Sequence, residues 1–260
     1  MKKFFVIGNP ISHSLSPELH NFWIKKNKIN AVYDKIKLEE PELKDFINKL
    51  RNEEIHGINV TVPFKNKVIK YLDKLSLEVE TTDSVNTIYK SGNELIGHNT
   101  DVAGFELGLR HSKINVLHKS ILILGAGGVV PSIIYSLLSM GCKKIFLSNR
   151  TLEKAENIKK KFDEVEVIEW KKIPDFDIVI NATSVGLKGE SLDLEFNTKD
   201  KVFYDVIYNP KETQFLKKAK ENGNRVENGK FMFIYQANQS FSIWNNVIPK
   251  IDDEVLKILG

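Results

Sequence analysis

Cysteine is almost missing from this chain. Cys142 is the only one among 260 residues. No disulfide can form within the chain and no cysteine-based metal cluster can be built, which fits a reducing compartment such as the cytoplasm. Arginine is scarce too, with four (51, 110, 150 and 225) against 34 lysines. The net charge is only +4 and the lysines are scattered. With no basic block and no basic–aromatic interleaving, nucleic acid is not an expected partner. The six histidines (13, 20, 56, 98, 111, 118) have no H-x-x-x-H spacing and no carboxylate cluster around them, so no metal is expected. Long hydrophobic runs are lacking as well. The apolar stretch after Met1-Lys2-Lys3 begins as a signal peptide does, but Gly8-Asn9-Pro10 ends it too early. The uncharged run from Ile121 to Cys142 is broken by glycines 125, 127 and 128 and by Pro131. It reads as a buried strand, a glycine turn and a buried helix, and not as a membrane span.

What the chain does have is enough length for two modest domains and an apolar content of 42% with 28% charged residues, as in a soluble globular protein. Strand and helix patterns alternate, which predicts an α/β fold with right-handed crossovers and mainly parallel sheets. In the first part, strands are expected over 3–7 and 31–38, with helices over 41–50 and from about 66 to 75. Ser16, followed by Pro17, reads as a helix N-cap. Two short strands around Gly92 form a hairpin whose open ends carry Asn86 and Asp101, with Asp101 placed to cap a helix over 102–110. In the second part, strands are expected over 120–124, 144–148, 177–182 and 201–207. Helices are expected over 211–222, 231–244 and 252–259.

Three places concentrate polar chemistry. In Asn59-Val60-Thr61-Val62-Pro63-Phe64-Lys65, a strand alternates until Pro63, which has no N–H to give a sheet. An amide, a hydroxyl and an ammonium therefore arrive together at a strand end, although most of 34 lysines must be ordinary solvated ones. Ser14 and Ser16 put two hydroxyls beside a helix N-terminus, where a carboxylate can bind. Gly125-Ala126-Gly127-Gly128-Val129 is a glycine turn between strand and helix that lets backbone approach a pyrophosphate. Val130 takes the third small position of that turn, which predicts looser helix–strand packing. After the next strand, where an NAD-specific site places an acid, stands Asn149-Arg150-Thr151, with Lys154 one helical turn on. A guanidinium there favours a 2′-phosphate, hence NADP over NAD.

Taken together with Gly8-Asn9-Pro10-Ile11-Ser12-His13-Ser14-Leu15-Ser16-Pro17, Ser84-Val85-Asn86-Thr87, Asn99-Thr100-Asp101, Asn181-Ala182-Thr183-Ser184 and Tyr204-Asp205-Val206-Ile207-Tyr208, these motifs resemble the shikimate dehydrogenase family along nearly the whole chain. The resemblance implies a substrate domain from residues 1–100 plus 231–260 and a Rossmann-type NADP-binding domain over 101–230, with a cleft between them. It implies reversible NADPH-dependent reduction of 3-dehydroshikimate to shikimate in a cytoplasmic monomer or homodimer. Lys65 and Asp101 would be catalytic, with Ser14, Ser16, Thr61, Asn86, Tyr208 and Gln236 also on the substrate. Gly125, Ala126, Gly127, Gly128, Val129, Asn149, Arg150, Thr151, Lys154, Val206 and Gly229 would meet NADP. Asn59 is expected to brace the site and not to touch substrate. Lys154 stands where the family often has arginine, and Phe231 where it often has glycine. An NAD-preferring quinate/shikimate dehydrogenase and a non-catalytic shikimate- or NADP-binding module are the alternative readings. A folate dehydrogenase of similar layout leaves the paired serines and Asn86 unexplained.

Overall fold

Apolar runs of four or five residues, punctuated by glycine, proline and polar turns, give this chain strands joined by helices. The computed structural model describes residues 1–258, which divide into two compact units. One holds Met1–Gly104 and the segment from Ile234 onward, and the other holds Phe105–Phe233. The breaks fall after 104 and 233 instead of 100 and 230, so Asp101 lies in the same unit as Lys65.

The first unit contains β1 (Lys2–Gly8), α1 (Ser16–Lys26), β2 (Ala31–Lys37), α2 (Leu43–Arg51), β3 (Gly57–Val60), β4 (Lys74–Leu75), α3 (Leu77–Thr82), β5 (Thr87–Ser91) and β6 (Glu94–His98). Its sheet order is β2-β1-β3-β5-β6-β4. β1 runs parallel to β2 and β3, and β4 parallel to β6. β5 is antiparallel to β3 and β6, which is the expected hairpin, closed through Gly92 at φ 58°. Leu43, Phe46, Ile47 and Leu50 recur at helical spacing and bury one face of α2 against Ile58, Ile88 and Leu95. His20 of α1 is buried among the rings of Trp23, Tyr33, Phe241 and Trp244, and loss of solvent pushes it down to about 3.

α4 (Thr100–His111) leads into the second unit. There follow β7 (Ser120–Leu124), α5 (Val130–Ser139), β8 (Lys144–Ser148), α6 (Leu152–Lys159), β9 (Val165–Ile168), β10 (Ile178–Asn181), β11 (Val202–Asp205), α7 (Gln214–Glu221) and β12 (Arg225–Asn228). α8 (Lys230–Asn245) and α9 (Asp253–Ile258) end the described chain; the last residue of the terminal helix expected over 252–259 lies outside the described residues. The sheet is wholly parallel, ordered β12-β11-β10-β7-β8-β9. Ile121 and Ile123 face one apolar cluster, Leu122 and Leu124 another, so the strand is buried on both faces as parallel sheets require. The chain winds outward from β7 to β9, then returns beside β7 as β10 and winds out the other way. The strand order reverses between β7 and β10, the place where such sheets bind ligands.

Several expectations are corrected. Residues 66–75 do not form a helix but a single 3-10 turn at Ile69–Tyr71, after which the chain extends to pair β4 with β6. Asp73 drives this: its N–H donates to the Leu95 carbonyl, while its carboxylate takes Arg51 and the Leu95 N–H. The strand before Pro63 ends at Val60 and is buried at every position, so it does not alternate. Ser16 is the first residue of α1 and makes no side-chain cap. α7 starts only at Gln214, capped by the Thr213 hydroxyl, which accepts from the Leu216 N–H. Val130 is fully buried in the core, so the turn before it is not loosely packed. β9, β12 and α3 are additional elements. Among the described residues no helix is long and apolar enough to cross a membrane, and no cluster of three metal-ligating side chains occurs.

Candidate active site

In the first unit, β3 ends at Val60 and the chain turns through Phe64, whose N–H donates to the Thr61 carbonyl. Phe64 is buried, which anchors the turn and holds Lys65 beside it. Lys65 forms an ion pair with Asp101, and their side chains are only 12% and 9% exposed. An ion pair so withdrawn from water gains little for stability, because desolvation offsets its attraction. Clefts that do chemistry are where such pairs are kept.

α4 starts two residues before the expected position. Asn99 caps it, its side-chain oxygen accepting the Asp101 N–H at 3.1 Å. Asp101 is therefore spared the capping role, and its two carboxylate oxygens serve other partners. One takes Lys65, the other accepts the Asn86 amide at 2.9 Å. The Asn86 oxygen in turn accepts the Thr100 N–H at 2.7 Å, and its amide reaches Gln236 Oε1 at 3.5 Å. The hairpin thus brings Asn86 to Asp101. Asn59 is buried, and donates to the Asn86 carbonyl at 2.9 Å while its own oxygen accepts the Tyr33 hydroxyl at 2.7 Å.

Ser14, Ser16 and Thr61 stand apart from this network and share no hydrogen bond with it. The Ser14 hydroxyl accepts the Ser16 N–H at 3.3 Å, and Lys35 holds the Ser12 and Ser14 carbonyls. Thr61 lies over Gly8, where a Cβ would come within 2.5 Å of its methyl. Tyr208 belongs to the second unit, stacked on Phe233 with ring centres 4.3 Å apart.

In the second unit, the glycine turn follows β7 at the reversal point. Gly125 has φ 106°, a backbone angle open to glycine and hardly to other residues. A Cβ there would strike the Ala182 backbone at 2.9 Å. Gly127 and Gly128 are exposed, and a Cβ at 127 would meet nothing closer than 3.9 Å. Neither carries a side chain that would keep a group from the N-terminal end of α5. Past β8, Asn149 donates to the Thr151 carbonyl at 2.8 Å, and Arg150, Thr151 and Lys154 are exposed. No acidic side chain occupies the end of that strand. Gly229 is dictated by contact, since a Cβ would lie 2.1 Å from the Val206 carbonyl oxygen. Asp205 ties the neighbouring loops together, accepting from the Thr213 hydroxyl at 2.6 Å, the Ile207 N–H at 3.0 Å and the Asn181 amide at 3.1 Å. Burial nonetheless pushes its carboxyl up to about 6. Phe231 stacks on His111 at 3.7 Å.

Residues 6–88 match the model of the shikimate dehydrogenase substrate binding domain, and 108–188 that of shikimate/quinate 5-dehydrogenase. A shikimate dehydrogenase (NADP(+)) of Pelagibacter ubique is 55% identical over 99% of this chain and 98% of its own. The chain belongs to the shikimate dehydrogenase family. A shikimate dehydrogenase crystallised with NADP+ aligns over all of the chain and 94% of its own, with a TM-score of 0.91 and 36% identity. Another, from Listeria monocytogenes in complex with shikimate and NAD, gives 0.91 and 31% over all of the chain and 96% of its own. For a shikimate dehydrogenase relative, the residues that sequence reasoning passed over are the hydroxyls behind Asn86. Thr87, Thr100 and Ser240 are buried and lie within 3.3 Å of one another. Thr87 and Thr100 adjoin Asn86 and Asp101 in the sequence, and Ser240 follows Gln236 by one helical turn, so a signal was present. Tyr33 had none.

Proposed function

We propose that this chain reversibly reduces 3-dehydroshikimate to shikimate with NADPH, a step of the shikimate pathway toward chorismate and the aromatic amino acids. The observation that carries the residue assignment is the buried Lys65–Asp101 pair steadied by Asn86. The first unit takes the substrate, and the second takes the cofactor. NADPH, when bound, supplies the hydride. The residues present fit it: a turn without side chains at Gly127 and Gly128, a contact-dictated glycine at 229, and Arg150 with Lys154 in place of an acid. Arg150 and Lys154 hold the 2′-phosphate, with Asn149 and Thr151 shaping the turn that presents them.

As negative charge grows on the carbonyl oxygen of the substrate, the Lys65 ammonium stabilises it and donates a proton from Nζ; in the reverse direction Nζ accepts one. Asp101 orients that ammonium and keeps it aimed. Ser14 and Ser16 hold the substrate carboxylate, and Thr61, Asn86 and Gln236 its hydroxyls. The test is Lys65→Ala in an NADP-linked assay. kcat is expected to fall by roughly 10²–10⁴-fold with KM for shikimate little changed. A variant with near-parental kcat would remove Lys65 from the mechanism. Running NADP against NAD and shikimate against quinate in the same assay separates this reading from a quinate enzyme, and NADPH loss with 3-dehydroshikimate separates it from a binding module.

A further inference from the structure

We infer that Tyr33 is a positioning residue for this reaction, acting on Asp101 through Asn59 and Asn86. This rests on the Lys65–Asp101 assignment above. Proton accounting fixes every orientation along the path. The Thr100 N–H can only donate, so the Asn86 group it meets at 2.7 Å is the oxygen, and Nδ2 must face Asp101. The Asn86 main-chain carbonyl can only accept, so the Asn59 group facing it at 2.9 Å is the amide nitrogen. The Asn59 oxygen then points the other way, and the Tyr33 hydroxyl 2.7 Å from it has to be the donor. The remaining hydrogen of Asn59 Nδ2 lies between Thr87 Oγ1 at 3.1 Å and Ser240 Oγ at 3.0 Å.

Those two hydroxyls and Thr100 Oγ1 close a triangle of 2.8, 3.1 and 3.3 Å. Its corners come from three elements: β5, next to Asn86; α4, which carries Asp101; and α8, which carries Gln236. Asn59 is thus the clamp on which three site-bearing elements meet. Its amide is held at Nδ2 by the Asn86 carbonyl and the Thr87 and Ser240 hydroxyls, and at its oxygen by the Tyr33 hydroxyl, so each end of the amide reinforces the orientation of the other. If it rotated, its oxygen would face the Asn86 carbonyl oxygen, acceptor against acceptor, in a place water does not reach. Tyr33 itself is held firmly. Its ring stacks on His20 at 4.1 Å and 7°, and the Asn21 side chain binds both its N–H and its carbonyl, at 3.0 and 2.7 Å. Burial of the ring is nearly complete, so the hydroxyl does not touch solvent.

The experiment measures kcat, KM for each substrate and the pH dependence of kcat for the parent, Tyr33→Phe, Asp101→Asn, the double variant and Lys65→Ala. Phenylalanine keeps the ring and removes only the hydroxyl. Tyr33→Phe is expected to lower kcat by roughly three- to thirtyfold, to displace the pH profile of kcat and to leave KM for NADP unchanged. In the Asp101→Asn background the same change costs nothing further, because its effect travels through that carboxylate. Parental kcat and pH profile in Tyr33→Phe overturn the inference, as does an effect that simply multiplies with that of Asp101→Asn. A Lys65→Ala enzyme of parental kcat instead overturns the underlying assignment, and this inference with it. Should Tyr33→Phe fail to fold, Ser240→Ala removes one corner of the triangle and is judged by the same non-additivity.

Discussion

Arg150 shows what a single side chain decides in this chain. It is exposed at the end of β8, with Asn149 and Thr151 shaping the turn around it and no acid at the strand end. A charge-assisted hydrogen bond to a phosphate contributes about 1.5–3 kcal/mol, or about ten- to hundredfold in affinity. Arg150→Ala should therefore raise KM for NADP by that factor while KM for NAD stays put. Titrating both cofactors checks it, and an equal rise for both would mean that Arg150 does not read the 2′-phosphate. Asp101 illustrates the limit of reading one residue from sequence. Its place beside a helix start was legible and the resemblance implied a catalytic role, but spacing also offered it a capping role, because spacing could not reveal that Asn99 takes the Asp101 N–H. Tyr33 was not legible at all. It meets Asn59 across 26 positions, and only the parallel pairing of β1 with β2 and β3 brings the two together.

Among the elements, those with one dominant periodicity were read correctly and those decided by a neighbour were not. The hairpin of β5 and β6 has its own turn residue, and β7 with its glycine turn has a run apolar on both faces, so local pattern sufficed. Residues 66–75 look helical in isolation. They extend because Asp73 and the open edge of β6 offer hydrogen bonds that a helix would forgo. The β7–α5 turn allows a test at this scale. Gly125 combines φ 106° with a Cβ position 2.9 Å from the Ala182 backbone. Gly125→Ala should destabilise the protein by about 1–3 kcal/mol through strain. It should also raise KM for NADP, because relief of the clash moves the turn. Urea unfolding without cofactor measures the first effect, and an unchanged midpoint would show that the turn yields without cost.

At the scale of the whole molecule, two buried groups, one in each unit, answer acid in opposite senses. His20, in the first, has a folded value depressed from 6.5 to about 3, so its contribution to stability is present above pH 6.5 and drains away as pH falls toward 3. Asp205, in the second, is raised from 3.8 to about 6, so its contribution is full below pH 3.8 and is lost as pH rises through 6. Between pH 6.5 and 4.5 each is worth about 2 kcal/mol, with opposite sign. A global midpoint blends these two opposed contributions, so they are separated residue by residue. Hydrogen exchange resolved by residue should find β1 and β3 amides less protected at pH 4.5, relative to β10 and β11, than at pH 6.5, and His20→Phe should abolish the loss in the first unit. Equal changes in both units would mean that the chain opens as one block.

The first unit is also discontinuous, and that has a consequence in time. Trp244 stacks on Phe4 with ring centres 5.0 Å apart, donates to the Ile88 carbonyl at 3.2 Å and fills the space that Gly57 leaves. At a synthesis rate of about 5–20 residues per second, the ribosome takes on the order of ten seconds or more to go from residue 104 to α8. Throughout that interval Phe4 and its sheet face wait uncovered while β7 to β12 are made, so the second sheet has its last strand before α8 emerges to cover the first. The lobe begun first is thus the last to be finished, and the nascent chain is most in need of a chaperone over its own N-terminal sheet.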